Sequence, residues 1–171
     1  MSAACLDYLL CVTVSSIMSE KHWQTISNSP AATEAMAAAI GKQLRGGEVI
    51  DLIGDLGSGK TTFVRGLAKG LGSQALVSSP TFKINNVYPG KKLSLYHFDF
   101  YRISEPGILS SELAEVLSEP ASVIVIEWSN VVRQLLPEKQ LAITFTQTAD
   151  NERHLDFSYP ATLGYMIKEL K

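Results

Sequence analysis

The chain has 171 residues, of which 46% are hydrophobic and 19% are charged, and its formal net charge is −2. This length and composition are typical of one globular domain with a substantial core, and they exclude a largely disordered chain. A net charge so close to zero also argues against a large non-specific surface for nucleic acid, which needs an excess of basic residues.

The start of the chain differs in composition from the rest. The apolar stretch LDYLLCVTVSSIM is shorter than the roughly 20 residues that cross a bilayer, and it lacks the basic region of a secretory signal. Regular patterning begins at Met18, so our hypothesis is that Met18 is the natural start, residues 1–17 are an upstream extension and residues 18–171 form the domain. Cys5 and Cys11 both fall before it, which excludes a disulfide framework and is compatible with a reducing cytosol.

Helical and strand patterns alternate along the domain. Helices are predicted from Pro30, with Ser29 as its N-cap, to about residue 45, from residue 60 to 70–72, within 104–120 and over 161–171. Strands are predicted at 47–54, at 75–77, on both sides of the Pro89-Gly90 turn, and at 122–128, 141–147 and 153–159. This order predicts a single α/β domain with a mixed, mainly parallel sheet flanked by helices.

The segment GDLGSGKTT, residues 54–62, matches the phosphate-binding P-loop pattern G-x-x-x-x-G-K-[ST] completely. Gly57 and Gly59 permit backbone conformations in which successive N–H groups converge on phosphate oxygens, and the following helix directs its positive dipole end to the same point. Lys60 supplies a charge for the phosphates, and Thr61 offers a hydroxyl to Mg²⁺. An apolar strand before the loop and a helix after it strengthen this nucleotide-binding prediction.

Hydrolysis or transfer also needs carboxylates near the phosphates. The buried strand VIVIE ends in Glu127, and we interpret this acid as the metal-binding carboxylate; a solvated strand end is the alternative. In LYHFDFYR, residues 95–102, one face of the strand carries His97 and Asp99, whereas the other carries Tyr96, Phe98 and Phe100. Beside a phosphate cradle, Asp99 becomes a candidate to hold the hydration shell of Mg²⁺ or to orient water. We expect His97 to position either Asp99 or the loop SSPTF, residues 78–82, which precedes the strand.

Four motifs occur here in an order and spacing that resembles the TsaE-type ATPases, small bacterial proteins required for threonylcarbamoyladenosine formation in tRNA. The motifs are GDLGSGKTTFVRGLAKGLG, SSPTF, LYHFDFYR and VIVIEW, and the resemblance extends from about Ser29 to Arg153. It implies a cytoplasmic Mg²⁺-dependent ATPase that binds ATP and ADP and has no membrane segment. It further implies that ATP hydrolysis drives or resets a complex with TsaB and TsaD proteins, through which tRNA is reached indirectly, while TsaC-type enzymes supply the threonylcarbamoyl-adenylate.

The resemblance also implies roles for individual residues. The phosphate cradle carries over onto Gly57, Ser58, Gly59, Lys60, Thr61 and Thr62. Thr61, Glu127 and Asp99 would be the metal contacts, with Lys60, Asp99 and Glu127 as the catalytic residues. Ser79, Pro80 and Thr81 resemble the family's switch-like loop, and Trp128 matches the aromatic residue after the strand-end acid. Contacts on the adenine side would come from Ser29, Glu152 and Arg153.

Two features depart from the family pattern or stay open. The family's acidic stretch after the HFD motif is replaced by SEPGILSSELAEVL, which is less acidic at its start, and residues 1–17 have no counterpart. Arg65, Arg102, Arg133 and Arg153 are all candidates for the cation on the leaving phosphates, and a partner could supply it instead.

Two other functions compete with the ATPase hypothesis. A small-molecule kinase could use the same cradle, although residues 104–120 contain no arginine cluster of the kind that a kinase lid carries. A non-catalytic nucleotide-sensing module would bind ATP or ADP without useful turnover, and the two extra carboxylates, Asp99 and Glu127, argue modestly against it.

Overall fold

The computed structural model describes residues 19–80, 85–103 and 107–170. The proposed extension, residues 1–17, lies outside these ranges, as does Thr81 of the switch-like loop. The hypothesis that Met18 is the natural start therefore stays a prediction. Among the helices of the described ranges, none is both long enough and apolar enough to cross a membrane.

The described part of the chain contains seven strands and three α-helices. The strands are β1 (Glu20–Ser27), β2 (Val49–Ile53), β3 (Asn85–Pro89), β4 (Ser94–Asp99), β5 (Ser122–Glu127), β6 (Leu141–Gln147) and β7 (Arg153–Pro160). The helices are α1 (Pro30–Gly41), α2 (Lys60–Leu71) and α3 (Ile108–Leu117), with 3₁₀ segments at Ser129–Val131, Arg133–Leu135 and Ala161–Leu170.

The strands form one sheet in the order β1-β7-β6-β2-β5-β4-β3. Its centre is parallel, because β6, β2, β5 and β4 lie side by side in that order and each pairs in parallel with its neighbour. Antiparallel pairs extend it on both sides, through β7 and β1 at one edge and β3 at the other. The predicted mixed sheet flanked by helices is confirmed, and the carboxyl ends of β2, β4 and β5 meet at one edge of its parallel centre.

Apolar side chains cover both faces of the central strands. One cluster joins α1 and α2 to the sheet through residues such as Ile40, Phe63 and Val125. The other joins α3 and the 3₁₀ turns to the opposite face, and it includes Phe98 and Ile126. All six residues of β5 are buried, as its continuous apolar sequence predicts.

Two strands differ from the sequence prediction. The prediction of a strand at 75–77 is wrong, because this segment pairs with no other strand and Leu76 is 97% exposed. The sequence analysis did not predict β1, whose eight residues pair with β7 along their whole length. Its sequence EKHWQTIS carries two large apolar residues, Trp23 and Ile26, and Ile26 is more than half exposed, so the strand depends on a ladder with residues far along the chain.

The helix ends also have local physical causes. Ser29 caps α1 as expected, since its hydroxyl accepts the Ala32 N–H at 3.1 Å. The helix ends at Gly41 and not near residue 45, and the buried Glu48 carboxylate then accepts the N–H groups of Arg45 and Gly46 at 2.7 and 2.8 Å. The closing segment at Ala161–Leu170 is a 3₁₀ helix.

Helices α1 and α2 approach each other closely because glycines lie between them. A Cβ on Gly70 would lie 2.2 Å from the Ala38 carbonyl oxygen, and one on Gly66 would lie 2.3 Å from the Glu34 carbonyl oxygen. Both atoms belong to the backbone of α1, so a side chain at either glycine would force the two helices apart.

We expect Gly70→Ala to lower the free energy of unfolding by about 2 kcal/mol. Overpacking costs up to about 3 kcal/mol, and the better helix propensity of alanine offsets about 1 kcal/mol. Urea unfolding measures the change, and Gly164→Ala is the matched control, because its Cβ meets only an ordinary contact with Tyr159 at 3.8 Å. Equal stability of both variants would contradict this account of the helix contact.

A carboxylate is buried within the central strand β2. Asp51 is 4% exposed; its Oδ2 accepts the Ser129 hydroxyl at 2.9 Å, and its Oδ1 is buried without a hydrogen-bond partner in the described structure. Burial raises the pKa of the Asp51 carboxyl, against the opposing effects of the Ser129 hydrogen bond and the Arg133 charge. The folded state therefore holds this proton more tightly than the unfolded chain does.

This raised pKa predicts a pH-dependent stability difference between Asp51→Asn and the wild type. The cost of ionising Asp51 is absent below the unfolded-state pKa and is complete above the folded-state pKa, so wild-type stability falls relative to the variant as pH rises through this window. Urea unfolding of both proteins from about pH 4 to about pH 8 measures the difference. A difference that stayed constant, or that shrank with rising pH, would contradict the prediction.

Candidate active site

The P-loop connects β2 to α2 at the carboxyl edge of the parallel strands. Gly57 and Gly59 adopt φ angles of 79° and 107°, which disfavour residues with a side chain. A Cβ at either position would meet nothing within 4 Å, so the backbone conformation and not the available space requires glycine. Gly59 is the N-cap of α2, and the loop thus presents its N–H groups at a helix N-terminus, where anions bind.

The Lys60 side chain is folded back against its own loop. Its Nζ donates to the carbonyl oxygens of Gly54 and Asp55 at 2.8 and 2.9 Å. The same atom lies 3.6 Å from Glu127 Oε2 and 5.2 Å from the centre of the Trp128 ring. Only 4% of the side chain is exposed, so its charge is satisfied by these neighbours.

Asp99 and Glu127 end two adjacent parallel strands. They are register partners in the β4–β5 ladder, so their side chains emerge side by side next to the P-loop. Glu127 is buried, with His97 Nε2 at 2.9 Å from its Oε1. Asp99 accepts the Tyr101 N–H at 3.0 Å and the Ser79 hydroxyl at 3.1 Å. The expectation that a hydrogen bond from His97 positions Asp99 or the switch-like loop is wrong, because Nε2 is bonded to the acid of the neighbouring strand and Nδ1 has no hydrogen-bond partner in the described structure.

The loop before the β3–β4 hairpin is bonded to this site. Besides the Ser79 hydrogen bond to Asp99, the Ser78 carbonyl oxygen accepts the Tyr88 hydroxyl at 2.9 Å and the Asn86 side-chain amide at 3.2 Å. Pro80 is buried. The loop is thus connected both to a candidate catalytic carboxylate and to the hairpin.

Trp128 follows Glu127 in an unusual backbone conformation. Its φ of 61° makes it the one non-glycine residue of the described ranges with a positive φ, a conformation that costs a bulky residue free energy. Its ring lies over Lys60 Nζ and 4.9 Å from the Tyr101 ring. The strained turn thus places an aromatic face at the P-loop lysine, and the same side chain also packs against the apolar cluster around Phe98.

A cleft of about 200 Å³ opens beside the P-loop. Its lining comprises Ser29, Pro30, Thr33, Gly57, Gly59, Thr62, Asp150, Asn151 and Arg153. Two of the expected adenine-side residues, Ser29 and Arg153, therefore border the phosphate cradle. Glu152 does not line the cleft. Its carboxylate accepts the Thr148 hydroxyl at 2.7 Å. Thr33 and Asn151 were not anticipated, because ordinary helix and turn residues carry no sequence signal for a cleft.

The Arg153 guanidinium makes hydrogen bonds that the sequence did not predict. Its Nε donates to the Ser58 carbonyl oxygen at 3.0 Å, and its Nη1 donates to three carbonyl oxygens of the β6–β7 turn, those of Ala149, Asp150 and Glu152. The guanidinium thus connects the P-loop to that turn. Another candidate for the cation, Arg65, lies 3.9 Å from Glu34 on α1.

The oxygen-bearing side chains at the strand ends fit a hard cation. Asp99 and Glu127 are carboxylates, and Thr61, the second residue of α2, adds a hydroxyl; Mg²⁺ prefers such ligands. Within the described ranges, no three or more His, Cys, Asp or Glu side chains are grouped so that they could hold a metal ion. The donor set therefore suits a Mg²⁺ bound by one or two carboxylates together with nucleotide phosphates.

Comparisons with known proteins indicate the family of the chain. Residues 27–155 match the family model of the threonylcarbamoyl adenosine biosynthesis protein TsaE. The tRNA threonylcarbamoyladenosine biosynthesis protein TsaE of Bacillus subtilis is 36% identical over 142 residues, which cover 82% of this chain and 87% of that protein. The protein of the same name from Treponema pallidum is 38% identical over 130 residues, or 76% of this chain and 96% of that one.

A solved structure extends the similarity to the fold. The crystal structure of YdiB from Bacillus subtilis superimposes with a TM-score of 0.73 and 30% sequence identity, covering 89% of this chain and 95% of YdiB. The family model matches most of the chain, and the relatives are aligned along most of their own length. The chain therefore belongs to the TsaE family.

Proposed function

We propose that the protein is a Mg²⁺-dependent ATPase that acts in the biosynthesis of threonylcarbamoyladenosine in tRNA. One observation carries the proposal: the P-loop, its buried lysine and the two strand-end carboxylates converge at a single edge of the sheet. The relatives named above are tRNA threonylcarbamoyladenosine biosynthesis proteins, which supports the same pathway for this chain.

In this proposal the backbone N–H groups of residues 57–62 and the N-terminus of α2 bind the phosphates of ATP. Lys60 leaves the carbonyl oxygens of Gly54 and Asp55 and donates to the β- and γ-phosphates. Ser29 and Arg153, in the neighbouring cleft, lie where the adenosine part of the nucleotide would extend. The cleft is assigned to the nucleotide for this reason.

The carboxylates then have distinct tasks. Mg²⁺, when bound with the nucleotide, neutralises phosphate charge. Thr61 and Glu127 are proposed to hold it. Asp99, which is less buried than Glu127, orients the attacking water or the hydration shell. The oxygen of that water bonds to the γ-phosphorus while the bond to the β–γ bridging oxygen breaks, so ADP and phosphate leave.

The proposed role in the cell is to drive or reset a partner complex of TsaB and TsaD proteins, with tRNA reached through that complex. The cation on the leaving phosphates would come from a partner, or from Arg102 or Arg133, because the Arg153 guanidinium is engaged by backbone carbonyls and the Arg65 guanidinium faces Glu34. A cytoplasmic location is part of the same proposal.

The carboxylate assignment predicts a separation of binding from hydrolysis. We expect Asp99→Asn and Glu127→Gln each to lower the ATP turnover number by about 100-fold or more, because each removes a charge that acts on the reacting phosphate or its water. ADP affinity measured in EDTA should stay within about threefold of the wild type, since the cradle is unchanged. Glu115→Gln, at an exposed position on α3, is the matched control. Full turnover by both site variants would overturn the catalytic assignment.

The partner hypothesis predicts weak turnover by the protein alone. ATP hydrolysis should rise at least about tenfold when purified TsaB, TsaD and tRNA are added, because the assembled complex completes the charge stabilisation of the transition state. A coupled assay of ADP release measures it. Unchanged turnover would contradict the partner role, and ADP release that required a nucleoside or small metabolite would favour the kinase alternative.

A further inference from the structure

The two oxygens of Glu127 have different partners. Oε1 lies 2.9 Å from His97 Nε2, and Oε2 lies 3.6 Å from Lys60 Nζ. His97 is fully buried and Glu127 nearly so, so both contacts are shielded from water. A buried carboxylate needs such partners, because its transfer from water is costly unless it is paired and hydrogen-bonded.

The hydrogen-bonding pattern identifies which nitrogen of His97 donates to the acid. An ionised carboxylate only accepts hydrogen bonds, so Nε2 carries the hydrogen that reaches Glu127. Nδ1 is buried and has no hydrogen-bond partner in the described structure. The imidazole therefore makes its hydrogen bond to the acid through Nε2, and Nδ1 makes no competing bond in the described structure.

Nucleotide binding would affect the two partners of Glu127 differently. Under the proposed function, on which this inference rests, Lys60 moves from Glu127 to the phosphates. His97 is fixed in β4 between β3 and β5, where its register partners are Asn86 and Val125. When Lys60 leaves, His97 remains to hold the carboxylate.

We propose that His97 is a positioning residue for the metal-binding acid. Its Nε2–H holds Oε1 of Glu127 and thereby presents Oε2 towards the Mg²⁺ that accompanies the nucleotide. The hydrogen bond joins neighbouring strands of the parallel centre, so the orientation of the acid is set by the sheet and not by the P-loop. Asp99 is oriented differently, since its carboxylate accepts hydrogen bonds from the Tyr101 N–H and the Ser79 hydroxyl.

The experiment compares two amide substitutions that differ in reach. In His97→Gln the amide N–H can occupy the position of Nε2, whereas in His97→Asn the same group ends near the position of Nδ1 and cannot reach Glu127. Isothermal titration with ADP, in EDTA and in Mg²⁺, measures how much the metal strengthens binding. We expect His97→Asn to reduce this Mg²⁺-dependent gain by about 10–100-fold and His97→Gln to reduce it by less than about threefold. ADP affinity in EDTA should stay within about twofold in both variants.

Three results would overturn the proposal. One is a His97→Asn variant with the wild-type Mg²⁺ effect. Another is an equal loss in His97→Gln and His97→Asn. The third is an equal loss of ADP affinity with and without the metal, which would indicate a general structural role. Thermal unfolding of each variant checks that the fold is retained.

A second measurement on the wild-type protein does not depend on these variants folding. Nitrogen NMR of the free protein should find a hydrogen on His97 Nε2, and the Nε2 resonance should shift in Glu127→Gln. An Nε2 without hydrogen, or no shift in that variant, would contradict the proposed hydrogen bond.

Failure of the proposed function is distinguishable from failure of this inference. If ATP is not hydrolysed but the Mg²⁺-dependent gain is present and lost in His97→Asn, the ATPase proposal fails and the positioning role stands. If hydrolysis occurs and His97→Asn keeps the full gain, the positioning role fails alone. If the ADP affinity of the wild type did not depend on Mg²⁺, both the ATPase proposal and the positioning role of His97 would be overturned.

Discussion

The Glu127 carboxylate ends the most deeply buried strand of the sheet, and a charge in that position must be paired or the folded state becomes unfavourable. Its two partners come from different parts of the fold, His97 from the adjacent strand and Lys60 from the P-loop. The conformation of Lys60, which also bonds two carbonyl oxygens of its own loop, is therefore linked to this acid. Strand β4 and the P-loop thus meet at this single buried charge.

The parallel centre of the sheet makes this convergence possible. Strands β2, β4 and β5 run in the same direction, so the P-loop, Asp99 and Glu127 all emerge at one edge. Ligands of open α/β sheets commonly bind beyond the carboxyl ends of the strands. The antiparallel additions extend the sheet on either side, and the turn between β6 and β7 reaches back to the P-loop through Arg153. The peripheral strands thus shape the cleft beside the cradle.

The fold was predictable where local patterns are strong. β5 reads as a continuous apolar run and α1 begins with a Ser-Pro cap, and both appear as expected. β1 could not be predicted, because its polar sequence acquires strand structure only by pairing with β7, which lies more than 120 residues away along the chain. The opposite error occurred at 75–77, where a short apolar segment has no neighbouring strand to pair with. Both errors reflect long-range pairing, which local propensity does not encode.

The sequence by itself determined the P-loop, the two carboxylates at strand ends and the family, because these are fixed by residue type, spacing and short-range conformation. Only the tertiary structure decided which side chains touch. In the folded protein His97 is hydrogen-bonded to Glu127 and not to Asp99. The Arg153 guanidinium donates to backbone carbonyl oxygens, and Glu152 does not line the cleft. The alternation of LYHFDFYR reveals which residues share a face, but the neighbour across that face is set by strand order and register. Those depend on contacts between segments far apart in sequence, so pattern alone leaves them undetermined.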